Sequence, residues 1–203
     1  MSTTLHRARF AAVLAVLHES AARTVLDLGC GDGELLLALA AEPAIDRVVG
    51  IDIDAAALAE LRRALACCPA AVSGKVELRQ ASYTAPDPRL AGFAAAVMVE
   101  TLEHVAPGRL AAVEHAVFRG LAPGLVVVTT PNADFNPLLG VPAHRFRHPD
   151  HRFEWGRARF AAWVEGVASR HGYATTITDL GGRHPTLGGP SQMAVFRRPA
   201  RPA

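Results

Sequence analysis

Short apolar runs alternate with amphipathic segments along most of this sequence. The apolar runs have the length of β-strands and lie at 24–30, 47–54, 75–82, 93–99, 124–130, 173–180 and 191–198. Segments with helical periodicity lie at 5–20, 34–42, 55–66, 107–121 and 156–171. Strands that are apolar throughout and alternate with helices are typical of parallel sheets buried on both sides. We therefore predict an α/β fold whose mostly parallel seven-stranded sheet carries helices on both faces.

One segment interrupts this alternation. Residues 131–155 show no periodicity and hold three histidines and three arginines. A long irregular segment after a strand of an α/β domain is usually functional. We therefore expect a single domain over residues 1–203, with an active-site insert at 131–155 and a frayed tail at 199–203.

The charge of the chain is unevenly distributed. The net charge of +2 is the sum of −4 over residues 1–143 and +6 over residues 144–203. A basic final third permits a polyanionic partner. The three cysteines indicate neither a disulfide framework nor a zinc knuckle. With no apolar run long enough for a membrane span and no signal peptide, we expect a cytoplasmic protein without a membrane partner.

A glycine-rich turn, DLGCGDG at 27–33, stands between the first predicted strand and the next helix. Glycines let the backbone turn tightly and approach a ligand closely. Asp52 ends the second predicted strand, where a carboxylate can bind a ribose diol. The turn and Asp52 together predict a site for a nucleoside cofactor.

The acidic residues of the turn indicate which nucleoside it takes. Asp27 and Asp32 would repel a pyrophosphate and suit a cofactor with a cationic amino-acid tail. The turn resembles the first motif of class I S-adenosylmethionine-dependent methyltransferases, and GIDID at 50–54 resembles their next motif. The resemblance implies their Rossmann-like fold and S-adenosyl-L-methionine as cofactor. The cofactor-binding residues we assign from it are Asp27, Gly29, Gly31, Asp52, Ile53 and Ser82.

A cluster of acidic residues and histidine follows the fourth predicted strand. Glu100, Glu103 and His104 have a spacing that one helical turn would place on one face. Two carboxylates and an imidazole there favour a shared cation, whereas a solvated first helical turn is the plain alternative. The insert offers three further imidazoles, His144, His148 and His151. One of them would complete a mixed ligand set that suits Mn²⁺ and, less well, Mg²⁺.

Three separated motifs together resemble the small-RNA 3′-terminal ribose 2′-O-methyltransferases of the Hua-enhancer type. They are ETLEH at 100–104, TTPNADFN at 129–136, and RHPDHRFEW at 147–155 with the downstream RARFAAWV at 157–164. The resemblance runs from the first helix to about residue 173. It implies 2′-O-methylation of the 3′-terminal nucleotide of an RNA, with S-adenosylmethionine and a divalent metal, Mn²⁺ in preference to Mg²⁺.

The resemblance also implies roles for particular residues. The implied metal ligands are Glu100, Glu103, His104 and one insert histidine, for which we favour His151 because it holds the D-H-[RK]-F-E-W register. An imidazole can accept the proton of the attacking hydroxyl, and the candidates are His104, His148 and His151. The implied partners are an RNA 3′ end, single-stranded or in a short duplex, and an RNA-end-repair or small-RNA protein.

Residues of the insert are candidates for RNA binding. Arg145, Arg147 and Arg152 would bind phosphates, and their plain alternative is a solvated loop. Asn132 would orient the terminal ribose, and its alternative is a turn residue. We expect Phe153 and Trp155 to anchor the insert in the core. Two other functions remain open: a metal-independent methyltransferase for small molecules, and a non-catalytic module that binds RNA ends.

Overall fold

The computed structural model describes residues 4–85 and 87–199, so the predicted frayed tail lies, after residue 199, outside the described residues. The strands are β1 Thr24–Leu28, β2 Arg47–Asp52, β3 Val76–Gln80, β4 Ala95–Val99, β5 Leu125–Pro131, β6 Ala174–Leu180 and β7 Ser191–Arg197. The α-helices are α1 Thr4–Glu19, α2 Glu34–Ala41, α3 Ala55–Ala66, α4 Ala70–Ser73, α5 Leu110–Glu114 and α6 Arg157–His171. Each predicted strand and helix is found within a few residues of its expected bounds.

The seven strands form one sheet in the order β3-β2-β1-β4-β5-β7-β6. Strands β1 to β5 pair in parallel, and β7 runs antiparallel between β5 and β6. The predicted mostly parallel seven-stranded sheet is therefore confirmed. The direction of winding reverses between β1 and β4, and ligands of open α/β sheets bind at the carboxyl ends of the strands at this point.

Helices cover both faces of the sheet, because neighbouring residues of each buried strand point to opposite sides. Val25 of β1 packs in a cluster with apolar residues of α1, α2 and α3. Leu26, the next residue, packs in the other cluster, which includes α5 and α6. The α/β class with helices on both faces is thus confirmed.

The helix predicted at 107–121 has three conformations. It begins with a 3₁₀ turn at Pro107–Arg109, continues as α5 and widens into a π-helical segment at His115–Leu121. The short helix α4 was not predicted, because four residues are too few to show a periodicity. Within the two described ranges, no helix combines the length and the apolar character that a membrane span requires.

The insert is folded against the sheet edge. A 3₁₀ segment at Ala133–Leu139 opens it, and a β-bridge between Asn132 and Trp155 joins its two ends. Phe153 is buried in the core and its ring stacks on Trp155 with 4.3 Å between the ring centroids. The predicted anchoring of the insert by these two aromatic residues is confirmed.

Candidate cofactor and metal site

The glycine-rich turn after β1 has the backbone that its sequence indicates. Gly29 and Gly31 have φ of +87° and +51°, in the left-handed region that favours glycine. A Cβ atom on Gly29 would also overlap the side chain of Thr101, whereas a Cβ on Gly31 would meet open space. The turn therefore brings its backbone close to the segment that follows β4.

Asp52 connects this turn to the end of β2. One carboxylate oxygen accepts the Gly31 N–H at 2.8 Å, and the other accepts the Asp54 N–H at 2.9 Å. Asp54 in turn caps α3 by accepting the N–H groups of Ala56 and Ala57. Asp52 is therefore held in a fixed position at the carboxyl edge of the sheet.

A cavity of about 580 Å³ opens beside this turn. The predicted cofactor residues that line it are Gly29, Gly31, Asp52, Ile53 and Ser82. The Ile53 side chain is 69% exposed, which leaves an apolar surface free for a flat ligand. The structure thus brings five of the six predicted cofactor residues to one cavity.

Asp27, the sixth residue, lines an adjoining cavity of about 230 Å³ that also includes Gly29 and Gly31. Its side chain is buried and its Oδ2 has no hydrogen-bond partner. Burial, with the nearby charges of Asp52 and Asp32, raises the pKa of Asp27 from 3.8 to about 7. A cationic group in this cavity would stabilise the ionised carboxylate.

Tyr83 and Arg9 are among the residues that line these cavities and were not predicted. Tyr83 lines the larger cavity, and its hydroxyl donates to the Thr101 carbonyl at 3.1 Å. Arg9 of α1 lines the smaller one. Neither position carries a signal in the sequence, because each reaches the site only through the packing of distant segments.

Three of the four predicted metal ligands lie together. Glu103, His104 and His151 each offer a ligand atom, and these atoms lie within 4.8 Å of one another. Glu103 and His104 belong to a 3₁₀ turn, Leu102–His104, that follows β4. The backbone N–H of Arg152 donates to the Glu103 carbonyl at 2.8 Å and holds the insert against this turn.

Glu103 is the buried member of this cluster. Its Oε2 accepts the Thr130 hydroxyl at 3.1 Å, and its Oε1 has no hydrogen-bond partner. Burial, together with the charge of Glu100, raises the pKa of Glu103 well above its ordinary value. Thr130 was not predicted, although two polar residues at the end of the apolar strand β5 were a signal.

Glu100 does not share a helical face with Glu103 and His104, so this prediction is wrong. Its N–H continues the sheet by donating to the Thr129 carbonyl at 3.1 Å, and its φ is +53°. One carboxylate oxygen of Glu100 accepts the hydroxyls of Thr129 and Ser191, and the other lies 3.4 Å from Arg9. Sheet pairing extends one residue beyond β4, and the turn therefore begins too late to include Glu100.

The imidazoles of the insert face the turn after β4. The ring of His104 lies 4.9 Å from that of His151 and 6.0 Å from that of His148, between centroids. Burial, with His151 and His148 nearby, lowers the pKa of His104. His148 is exposed, and His144 is exposed outside the three-residue cluster. Of the insert histidines, His151 is the one that belongs to the cluster with Glu103 and His104.

Two of the predicted RNA-binding residues have structural partners instead. Asn132 is fully buried; its amide donates to the carbonyls of Leu187 and Gly189, and its oxygen accepts the Asp134 N–H. The guanidinium of Arg147 donates to a side-chain oxygen of Asn136 and to two carbonyls. The polar groups of both side chains thus already have partners inside the protein, and neither residue is kept among the proposed RNA contacts. Arg145 and Arg152 are exposed.

Comparison with known proteins gives relatives over nearly the whole chain. A family described as a methyltransferase domain matches residues 25–124. A small RNA 2′-O-methyltransferase of Gallus gallus is 36% identical over 184 residues, which cover 87% of this chain and 48% of the relative. The chain spans about half the length of the first curated relatives it matches.

Solved structures with the same fold cover the same region. The methyltransferase domain of the bacterial protein CtHen1-C is 34% identical, with a TM-score of 0.87, and the match covers 97% of this chain and all of that one. The small RNA methyltransferase HEN1 is 32% identical with a TM-score of 0.88, over 96% of this chain and 26% of that one.

Proposed function

Because this chain belongs to the family of small RNA 2′-O-methyltransferases, we propose that it methylates the 2′-hydroxyl of the 3′-terminal nucleotide of an RNA, with S-adenosylmethionine as methyl donor. The observation that carries the proposal is that His104 lines the large cavity beside the glycine-rich turn and also belongs to the cluster with Glu103 and His151. A cofactor site and an acidic, imidazole-containing site therefore share one wall.

The cofactor residues have complementary chemistry. In our proposal Asp27 receives the amino group of the methionine tail, because its buried oxygen lacks a partner. Asp52 binds the ribose hydroxyls, Ile53 packs on the adenine ring, and Ser82 lies near its edge. The open space beside Gly31 lets the ligand approach the turn closely.

A divalent metal suits the cluster for a physical reason. The buried Glu103 oxygen without a partner is costly unless a cation or a donor meets it. Glu103, His104 and His151 would hold Mn²⁺ or Mg²⁺, with Mn²⁺ preferred because two ligands are imidazoles. Glu100 is proposed as the fourth ligand; one of its oxygens accepts the hydroxyls of Thr129 and Ser191, and the other lies 3.4 Å from Arg9. The metal would lower the pKa of the attacking hydroxyl.

Proton transfer and RNA binding are assigned to side chains of the insert. His104 and His151 are our first candidates for metal ligands, and a ligating nitrogen cannot accept a proton. We therefore place the proton acceptor among the imidazoles at His148, which is exposed and 6.0 Å from His104 between ring centroids. The exposed arginines Arg145 and Arg152 would hold RNA phosphates without reading the sequence.

The proposal is tested by transfer of a labelled methyl group from S-adenosylmethionine to short RNAs that differ only at the 3′ end. We expect labelling of an RNA with a 2′,3′-diol, and its loss with a 2′-deoxy end or a chelator. Added Mn²⁺ should restore activity after the chelator. Equal labelling of the diol and 2′-deoxy RNAs would overturn the proposed substrate. Full activity of Glu103→Gln in the presence of chelator would overturn the proposed dependence on a metal.

A further inference from the structure

Glu154 is a buried acidic residue of the insert that the proposed chemistry does not use. It stands three residues after His151, and its side chain is only 1% exposed. Its Oε1 lies 2.6 Å from Nδ1 of His151. This is the distance of a strong hydrogen bond to a charged group. The residue that completes the cluster beside Glu103 therefore has a carboxylate partner of its own at Nδ1.

The other hydrogen bonds of Glu154 are also donated to it. Its Oε2 accepts the Asn136 amide N–H at 2.7 Å, and its Oε1 also accepts the backbone N–H of Arg147 at 2.7 Å. Asn136 is fixed in turn, because its oxygen accepts Nε–H of Arg147 at 2.6 Å. A carboxylate that receives these donors is held as an acceptor.

An acceptor at this place determines the tautomer of His151. Nδ1 has to donate its proton to Glu154, since a carboxylate has none to give. The neutral ring then carries its lone pair on Nε2. Metal-binding histidines are commonly oriented in this way by a carboxylate behind the ring.

We propose that Glu154 is a positioning residue that fixes the Nδ1–H tautomer and the ring direction of His151, so that Nε2 is the nitrogen offered to Glu103 and His104. The effect on metal binding rests on the proposed function, whereas the tautomer does not. Glu154 itself contacts neither the cluster cation nor substrate in this proposal.

The same network connects Glu154 to the sheet. Arg147, which donates its N–H to Glu154, has its guanidinium bound to the carbonyls of Asn132 and Pro190. Asn132 directly follows β5, and Pro190 directly precedes β7. Glu154 is therefore fastened to the sheet edge, and the ring of His151 takes its direction from the sheet and not from the surface of the insert.

The test compares the wild-type protein with Glu154→Gln, an uncharged variant of the same shape. Imidazole nitrogen NMR of metal-free protein at pH 8 reports the tautomer, and the His151 signals are assigned by their loss in His151→Asn. We expect Nδ1–H in wild type and a mixture of tautomers in Glu154→Gln. In Mn²⁺ titrations we expect the variant to bind roughly 10- to 100-fold more weakly.

A matched control is available where α5 meets α6. Glu114 accepts from His171 at 2.8 Å, which is a carboxylate–imidazole pair outside the cluster. Glu114→Gln should leave both the His151 tautomer and the Mn²⁺ affinity unchanged. An Nε2–H tautomer in wild type, or the same tautomers in wild type and Glu154→Gln, would overturn the proposal. Equal Mn²⁺ affinities of those two proteins would overturn its consequence for the metal. If wild type binds no Mn²⁺, the proposed metal site fails, and the tautomers still decide the role of Glu154.

Discussion

Asp27 is a residue whose proposed role in ligand binding lowers the stability of the free protein. It lies in β1, almost fully buried, with one carboxylate oxygen lacking a partner. A buried ionised group without a partner destabilises the folded state. In the proposed function the cationic tail of the cofactor supplies the missing partner. Asp27 should therefore stabilise the complex and weaken the free protein.

Replacing this carboxylate should stabilise the free protein at neutral and alkaline pH. The pKa of Asp27 is raised from 3.8 to about 7, so the folded state binds the proton more tightly than the unfolded state. Its contribution to stability is therefore fully present below about pH 4 and is lost as the pH rises to about 7. The loss is at most roughly 4 kcal/mol. Melting curves should show Asp27→Asn gaining several degrees over wild type at pH 8, and less at pH 5.

The same variant should bind S-adenosylmethionine more weakly in calorimetry, because the neutral amide cannot pair with the amino group. Glu60→Gln, which removes an exposed carboxylate of α3, should melt like wild type at both pH values. A melting temperature of Asp27→Asn that stays below that of wild type from pH 5 to pH 8 would contradict the expected sign.

At the scale of the element, the insert depends on arginines with different roles. Arg147 is half-buried, and its guanidinium donates hydrogen bonds to Asn136, Pro190 and Asn132. Arg145 is exposed. An exposed and a half-buried cation of the same insert thus form a natural pair for comparison.

Arg147→Ala should lower the free energy of unfolding by about 2–4 kcal/mol, because buried acceptors on Asn136, Asn132 and Pro190 lose their donors. Urea unfolding measures this. Arg145→Ala should stay within about 0.5 kcal/mol of wild type. Similar losses in both variants would mean that Arg147 has no special structural role.

The elements themselves were largely predictable from the sequence. The Val-rich run of β5 is typical of a strand in the interior of a sheet, so the local pattern of residues is enough to identify this strand. The cofactor turn and Asp52 were predictable for the same reason, since each sits directly at the end of a strand. Glu103, His104 and His151 were brought together as expected.

The errors concern residues whose partners are distant in sequence. Glu100 was expected in a helical turn, but pairing with Thr129 keeps it in the sheet. Asn132 was expected to face RNA, but it bonds carbonyls 55 and 57 residues away. Periodicity and spacing describe local conformation. They do not show which distant backbone group will form a hydrogen bond with a polar side chain.

Over the whole molecule, the charge asymmetry of the sequence becomes an asymmetry in space. The basic stretch that begins at residue 144 includes α6, β6 and β7 within its described residues, and the strands β7 and β6 form one end of the sheet. The strands β1 to β5, which come from the acidic part of the chain before residue 144, form the rest of the sheet and are followed at β1 by the cofactor turn. A polyanion would be drawn to the β7–β6 end and to the insert beside it.

RNA binding should therefore depend on salt through the exposed arginines of the insert. We expect Arg145→Ala with Arg152→Ala to weaken binding of a single-stranded RNA. The slope of log affinity against log salt concentration should become shallower by about 1–2. Fluorescence anisotropy at several salt concentrations measures this slope.

The control is Arg62→Ala with Arg63→Ala on α3, which is exposed and packs near β3 at the opposite end of the sheet. This pair removes the same charge and should leave the slope close to that of wild type. Equal changes in slope for the two double variants would show that RNA responds to net charge alone and not to the insert.

The hydrogen bond between Asn136 and Arg147 has a consequence for how this family can vary. It joins the two ends of the segment 137–146, whose Leu138, Leu139 and Phe146 side chains are about half exposed. The segment is closed at its base before the chain reaches His151. Lengthening such a closed loop is inexpensive, at about 0.6 kcal/mol for each doubling. Evolution can therefore insert or delete residues there while the histidine that faces Glu103 keeps its place.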